Sequence, residues 1–217
     1  MNGKIKIVGG SEIGLYHLQS NTPNQDSFDY KIYDDIVVGA VADGMGSRKF
    51  SQIGSKALTK LVVKLAKKFN NKKLFEKKLL TQYKQKIKPY KVDDCLSTLM
   101  FVIIKNNKVY IAKVGDGAVV VIGKKNKIIE EKDKLFGNFT TAFSIDRLNW
   151  YQFRKNEIDT LFLATDGISD DIEKKIEFVR DFKNYFCKTK KRDVTRLLKN
   201  WPVKGSIDDK TLLCIKV

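Results

Sequence analysis

The chain is poor in several residues that would mark a specialised environment. It has three prolines in 217 residues and no low-complexity stretch, so nothing reads as a linker and one unit spanning 1–217 is expected. The three cysteines, Cys95, Cys187 and Cys214, are odd in number and outside Cys-x-x-Cys spacing. Thiols in a reducing compartment are the better reading of them. No apolar run approaches the roughly 20 residues that span a bilayer, and Met1–Lys6 lacks the apolar stretch of a signal peptide. A cytoplasmic protein, monomeric and away from membranes, is the expectation. Histidine occurs once, at position 17.

Acids are also scarce: 25 against 42 basic residues, a net charge of +17. The excess invites a nucleic-acid reading, but only six of the bases are arginine. Arginine suits forked contacts to bases and phosphates, whereas lysine is a solvated point charge. Lys60, Lys64, Lys67, Lys68, Lys72 and Lys73 fall on polar helix positions, so solvated helix faces are the better reading. Non-specific attraction to polyanions, or to an acidic or phosphorylated protein, follows from the charge.

Hydrophobic residues make up 42% of the chain, enough for a sizeable core. Strand-like runs cover 4–8, 28–33, 36–42, 98–105, 108–114, 118–123, 148–154, 161–165 and 211–217. Asn106-Asn107 between two of them is a hairpin signal, and Asp34-Asp35 reads as a solvated turn. From Gln52 the apolar spacing changes to three and four: Leu58, Leu61, Val62, Leu65 and Phe69 share one helix face, with Ser51 as the expected N-cap. Further helices are predicted over 74–83, closed by Pro89, and over 172–186 and 192–201.

Against this background four short segments bear aspartate: Asn24-Gln25-Asp26, Ala42-Asp43-Gly44-Met45-Gly46, Thr165-Asp166-Gly167 and Asp208-Asp209-Lys210-Thr211. Two of them end apolar β-rich runs, where a charge is costly unless a cation shares it. Segments this far apart meet only if distant strands pair, which suggests a folded carboxylate cage for hard metal ions.

The ordered set resembles the metal-dependent protein phosphatases of type 2C, in particular their compact bacterial and phage branch. The likeness runs from about Gly14 to Thr211 and includes Val114-Gly115-Asp116-Gly117. The resemblance implies an α+β fold, an α-β-β-α sandwich of two antiparallel sheets flanked by helix pairs. It implies hydrolysis of phosphoserine or phosphothreonine on proteins by a metal-bound hydroxide, with two Mn²⁺ or Mg²⁺ ions and room for a third. It also implies a phosphoprotein substrate and a cognate serine/threonine kinase as partners. Carried onto this sequence, Asp43 bridges the metals and the Gly44 carbonyl binds one of them. Asp166 and Asp208 complete the first site, Asp26 holds a metal-bound water, and Asp116 with Asp166 forms the third site. Asp170 stands where the family often has another acid. Asp116 equally suits a turn between strands, and Asp209 suits hydrogen bonding in a turn better than metal binding.

The sequence departs from the family pattern in places. Asn21 stands where longer members carry a phosphate-gripping arginine, and Met45 where eukaryotic members have histidine; Gln25 replaces a frequent glutamate. Arg48 and Lys49, before a helix N-terminus that would welcome an anion, are candidate substitutes for phosphate binding. They are equally well read as surface charges. His17 is a candidate for phosphate binding or proton donation, or a hydrogen-bonded structural residue. Asn138-Phe139-Thr140-Thr141 also resembles the branch but has no assigned chemistry, and 131–159 is short for the flap of larger relatives. Cys95 lacks the arginine-rich loop of a cysteine phosphatase. The alternative function, favoured by Asn21, is a phosphoprotein-binding signalling module on the same fold with weak or no turnover.

Overall fold

The chain is described from a computed structural model at residues 5–131, 141–144, 148–186, 191–202 and 207–217. Strands and α-helices follow in the order β1 (Lys6–Glu12), α1 (Leu15–Gln19), β2 (Asp26–Ile32), β3 (Ile36–Asp43), α2 (Ser51–Ala66), α3 (Lys72–Lys86), β4 (Leu99–Lys105), β5 (Lys108–Val114), β6 (Ala118–Gly123), β7 (Lys127–Ile129), β8 (Asn149–Arg154), β9 (Ile158–Ala164), α4 (Asp166–Ser169), α5 (Lys175–Phe186), α6 (Lys191–Lys199) and β10 (Lys210–Lys216). One sheet runs β2-β3-β4-β5-β8 and the other β1-β10-β9-β6-β7. Neighbouring strands are antiparallel throughout both.

Side-chain parity explains the layering. Along β3, Ile36, Val38, Ala40 and Ala42 face α2 and α3, while Val37 and Val41 face the second sheet. Along β9, Leu161 and Leu163 face the first sheet, while Phe162 and Ala164 pack with α5 and α6. Because both faces of these strands are covered, they read in sequence as continuous apolar runs rather than as an alternation. The result is the α-β-β-α sandwich that the resemblance implies.

The hairpin signal is met: Asn106 and Asn107 both take positive φ (48° and 60°), as a tight two-residue turn requires. The helix over 172–186 is shorter than expected, starting at Lys175, because Asp166–Ser169 forms its own turn of helix after β9. Ser51 is not the N-cap of α2. It is the first helical residue, with its hydroxyl buried and no side-chain cap bond. Entry to α2 is fixed instead by Phe50, whose N–H donates to the Asp94 carbonyl at 2.8 Å. The strand β7 and the helix α1, which periodicity does not reveal, span three and five residues, too few to establish a period.

The sheets are tightly packed at Gly39. A Cβ there would lie 2.4 Å from Leu213 Cδ2 and 3.1 Å from Ile215 Cδ1. Gly39→Ala should therefore destabilise the protein by about 1–3 kcal/mol in denaturant unfolding. Much of that loss should be absent when Gly39→Ala is introduced into a Leu213→Ala background, since the two changes share one space.

Candidate metal centre

The topology brings the acids to one rim. Asp26 opens β2 and lies directly opposite Asp43, which closes β3. Asp116 sits in the short link from β5 to β6, where the chain crosses between sheets. Asp166 follows the last residue of β9, and Asp208 precedes β10, its antiparallel neighbour. The link holding Asp116 is tight: Gly115 and Gly117 have φ of +92° and +74°. Those values favour glycine on either side of the acid.

Carboxylate oxygens of Asp43, Asp116 and Asp166 lie within 4.8 Å of one another. Asp43 is positioned by its backbone, its N–H donating to Thr98 Oγ1 (2.9 Å) and its carbonyl accepting from Thr98 N–H (2.8 Å) and Ser97 Oγ (2.7 Å). Asp26 is buried; Thr165 Oγ1 donates to its Oδ2 at 2.9 Å, while Oδ1 is buried with no partner. The Asp208 side chain is half exposed, and its Oδ1 accepts the Asp209 N–H at 2.8 Å. Gly44 is buried beside Asp43, its N–H bonded to the Gln25 carbonyl at 3.1 Å. Asp170 is exposed, one helical turn beyond Asp166.

Crowding shifts the acids upward. Asp43 is held well above the usual carboxylate range, first by burial and then by Asp26, Asp166, Asp116 and Asp208. Asp26 is raised by burial and Asp209, partly offset by hydrogen bonds from Thr211 and Thr165. Asp166 is pushed up to about 6 by burial, Asp116 and Asp208, against the opposing effect of hydrogen bonds with Asp43 and the Gly167 N–H. No cation is among the principal influences on any of the three. Oxygen-only donors and the unsatisfied buried Oδ1 of Asp26 fit a hard divalent cation.

Asp209 has a different job. It is buried, and it accepts the N–H groups of Gly14 (2.7 Å) and Gln25 (2.6 Å). His17 is buried beside it, Nδ1 at 2.8 Å from Asp209 Oδ2 though not aligned as a hydrogen bond, and 4.0 Å from Asp208 Oδ1. The structural alternative for His17 thus has a visible partner. Arg48 is half buried, its Nε enclosed without a partner, and the Lys49 ammonium lies 5.3 Å from the centre of the Phe50 ring. Asn21 is exposed in a left-handed turn after α1. Cys95 is buried, and burial pushes its thiol up, the reverse of what a nucleophilic cysteine needs. Cys187 and Asn138-Phe139-Thr140 lie outside the described residues, as does much of 131–159.

Sequence reasoning missed the supports: Ser97, Thr98, Thr165 and Lys113. Lys113 is 3% exposed and donates to the Gly115 carbonyl at the foot of the Asp116 link. Strand parity was the available signal, since Lys113 falls in step with the inward-facing Val109 and Ile111.

A two-sheet α+β sandwich with an acidic rim suited to divalent cations is the class this fold and site define. A family model described as protein phosphatase 2C matches residues 13–201, and the chain belongs to that family. Asp208 and Asp209 lie beyond the matched stretch. Solved structures share the fold at low identity. Serine/threonine phosphatase Stp1 from Staphylococcus aureus is 17% identical, with a TM-score of 0.70, covering 100% of this chain and 96% of that one. The catalytic domain of serine/threonine phosphatase PstP, in complex with two manganese ions, is 16% identical at a TM-score of 0.67, covering 98% and 97%. RsbX in complex with magnesium is 15% identical at 0.64, covering 100% and 96%. No curated protein matches the chain in sequence.

The raised carboxyls give a stability signature with a definite sign. A carboxyl whose folded pKa is above its unfolded value of 3.8 stabilises the fold below that value. For Asp166 that contribution is lost as pH rises from 3.8 to about 6. The metal-free protein should therefore lose stability across this window. Mn²⁺ should raise Tm by several degrees at pH 7.5 and much less at pH 5, in thermal melts with and without EDTA. An equal shift at both pH values would contradict the assignment.

Proposed function

We propose that this chain hydrolyses phosphoserine and phosphothreonine on proteins, with two divalent cations, Mn²⁺ or Mg²⁺, and the Asp116 side as the place for a third. The observation that carries this reading is the convergence of Asp43, Asp116 and Asp166 from three separate links of the two sheets. Family membership supports the same chemistry. Divalent ions at such a rim supply charge neutralisation on phosphoryl oxygens and acidify a water.

The chain's own residues then divide the work. Asp43 and Asp166 would hold the ions, with the Gly44 carbonyl and Asp208 completing the donors. Asp26, locked by Thr165, presents Oδ1 as an acceptor for a water proton. The attacking water adds to phosphorus, the serine or threonine oxygen leaves and takes up a proton, and inorganic phosphate is released. No phosphoenzyme is required, since among the described residues no activated nucleophile is at hand. Arg48 is the first candidate to hold the phosphate, because its enclosed Nε lacks a protein partner. A cognate serine/threonine kinase supplies the substrate in this reading, and a monomer in the cytoplasm is its setting. Among the described residues no helix is long and apolar enough to cross a membrane. The binding-module alternative draws its support from Asn21, an uncharged exposed side chain where a charged fork would be wanted.

Asp43→Ala or Asp166→Ala should abolish Mn²⁺-dependent hydrolysis of p-nitrophenyl phosphate and of a phosphothreonine peptide while the far-UV spectrum stays unchanged. Asp26→Ala should lower kcat by roughly 10–100-fold. EDTA should abolish turnover of the wild type. No turnover with either cation would leave the binding module as the better reading. If the phosphate grip is weak, Asn21→Arg should lower KM, and Arg48→Ala should raise it.

A further inference from the structure

The positive charge is unevenly placed. Residues 51–86, the stretch containing α2 and α3, hold eleven lysines against one acid, a net of +10 out of +17. The acid, Glu76, is engaged with the neighbouring sheet, accepting from the Leu148 N–H (3.4 Å) and Trp150 Nε1 (3.3 Å). The other helical layer differs: α5 mixes Glu177 and Asp181 with Lys175, Arg180 and Lys183. Where α2 turns back into α3 there is a cleft of about 470 Å³. Its apolar lining is Leu65, Leu74, which is 42% exposed, and Phe75; Lys64, Lys67, Lys68 and Lys78 also line it, and among the described residues no carboxylate does. Among the described residues none of the four forms an ion pair.

Lys64 and Lys68 are four residues apart, and like charges at that spacing repel. An occupant that brings carboxylates to these lysines and an apolar side chain to Leu74 removes the repulsion and covers the exposed leucine. We infer that this cleft docks an acidic segment of a protein partner that also carries apolar side chains. Nucleic acid fits less well, since every charged group lining the cleft is a lysine and the apolar lining has nothing to offer a sugar-phosphate chain. A membrane surface fits less well too, because the apolar side chains line a cleft instead of forming a broad face. Ser51, beside the acid rim, is about 20 Å along α2 from Lys64, so docking is physically separate from the hydrolytic site.

The test is fluorescence anisotropy in 150 mM salt with four probes of known composition. They are a glutamate–tyrosine copolymer, polyglutamate of equal length, an oligo-dT strand and phosphatidylglycerol vesicles. The wild type should bind the copolymer about tenfold more tightly than the other three. Lys64→Glu/Lys68→Glu/Lys78→Glu should weaken copolymer binding by at least about tenfold. An equal charge change at the exposed residues Lys124, Lys125 and Lys174 should leave it within about twofold. Leu74→Ser should remove the preference for copolymer over polyglutamate. All variants should keep wild-type melting and wild-type hydrolysis of p-nitrophenyl phosphate. Equal weakening by the two triple variants would overturn the inference in favour of bulk charge. Oligo-dT or vesicles bound as tightly as copolymer through the same lysines would overturn it in favour of a polyanion or lipid surface.

Discussion

Mutual repulsion among carboxylates gathered at one rim is the constraint on which the rest of the site depends. Two unit charges about 5 Å apart at a partly buried position repel by roughly 3 kcal/mol. Asp116 and Asp166 lie this close to Asp43, and Asp26 and Asp208 push its carboxyl the same way. The fold tolerates this because each acid sits on a backbone already fixed by sheet pairing, as with Asp26 opposite Asp43. The backbone bonds of Thr98 and Ser97 to Asp43 hold that geometry whatever the carboxyls' charge. Rigid strands keep the acids together when their charges would drive them apart, and this leaves a cation as the natural partner.

Asp208 and Asp209 show how neighbouring acids acquire different roles. Asp208 points to the half-exposed rim, whereas Asp209 is buried and accepts two backbone N–H groups from segments 195 and 184 residues away in sequence. Charge-assisted bonds of this kind are stronger than neutral ones. Asp209 thereby ties the Gly14 and Gln25 segments to the start of β10, setting the position of Asp26 one residue on. The hydrogen-bonding role expected for Asp209 in a turn is realised, but on a larger scale, as a tether between distant parts of the chain.

Much of this was legible in sequence because long, uniform patterns carry it. The apolar run 36–42 and the three-and-four spacing after Gln52 gave β3 and α2 directly. The aspartates could be picked out for the same reason: an acid after a buried strand is an anomaly visible without coordinates. What stayed hidden depends on pairing. Thr165 holding Asp26, and Lys113 beneath Asp116, are contacts between residues whose individual positions look ordinary. Ser51 misled because a serine before an apolar period is the usual cap signal, yet here the close fit of Phe50 and Asp94 displaced it by one residue.

An acidic site inside a strongly basic protein is coherent once range is considered. At physiological ionic strength charges are screened over about 8 Å, so lysines some 20 Å along α2 do little to neutralise the rim. Within the rim the partly buried aspartates lie closer together than that screening length, so they act on one another and on anything bound there. The surface lysines act instead on large acidic bodies that meet many of them together. A small dication therefore experiences the local field of the aspartates, and a phosphorylated or acidic protein experiences the summed field of the helical layer. The two fields have opposite sign and little cross-talk. A chain can thus be drawn to acidic proteins while keeping a pocket that attracts cations.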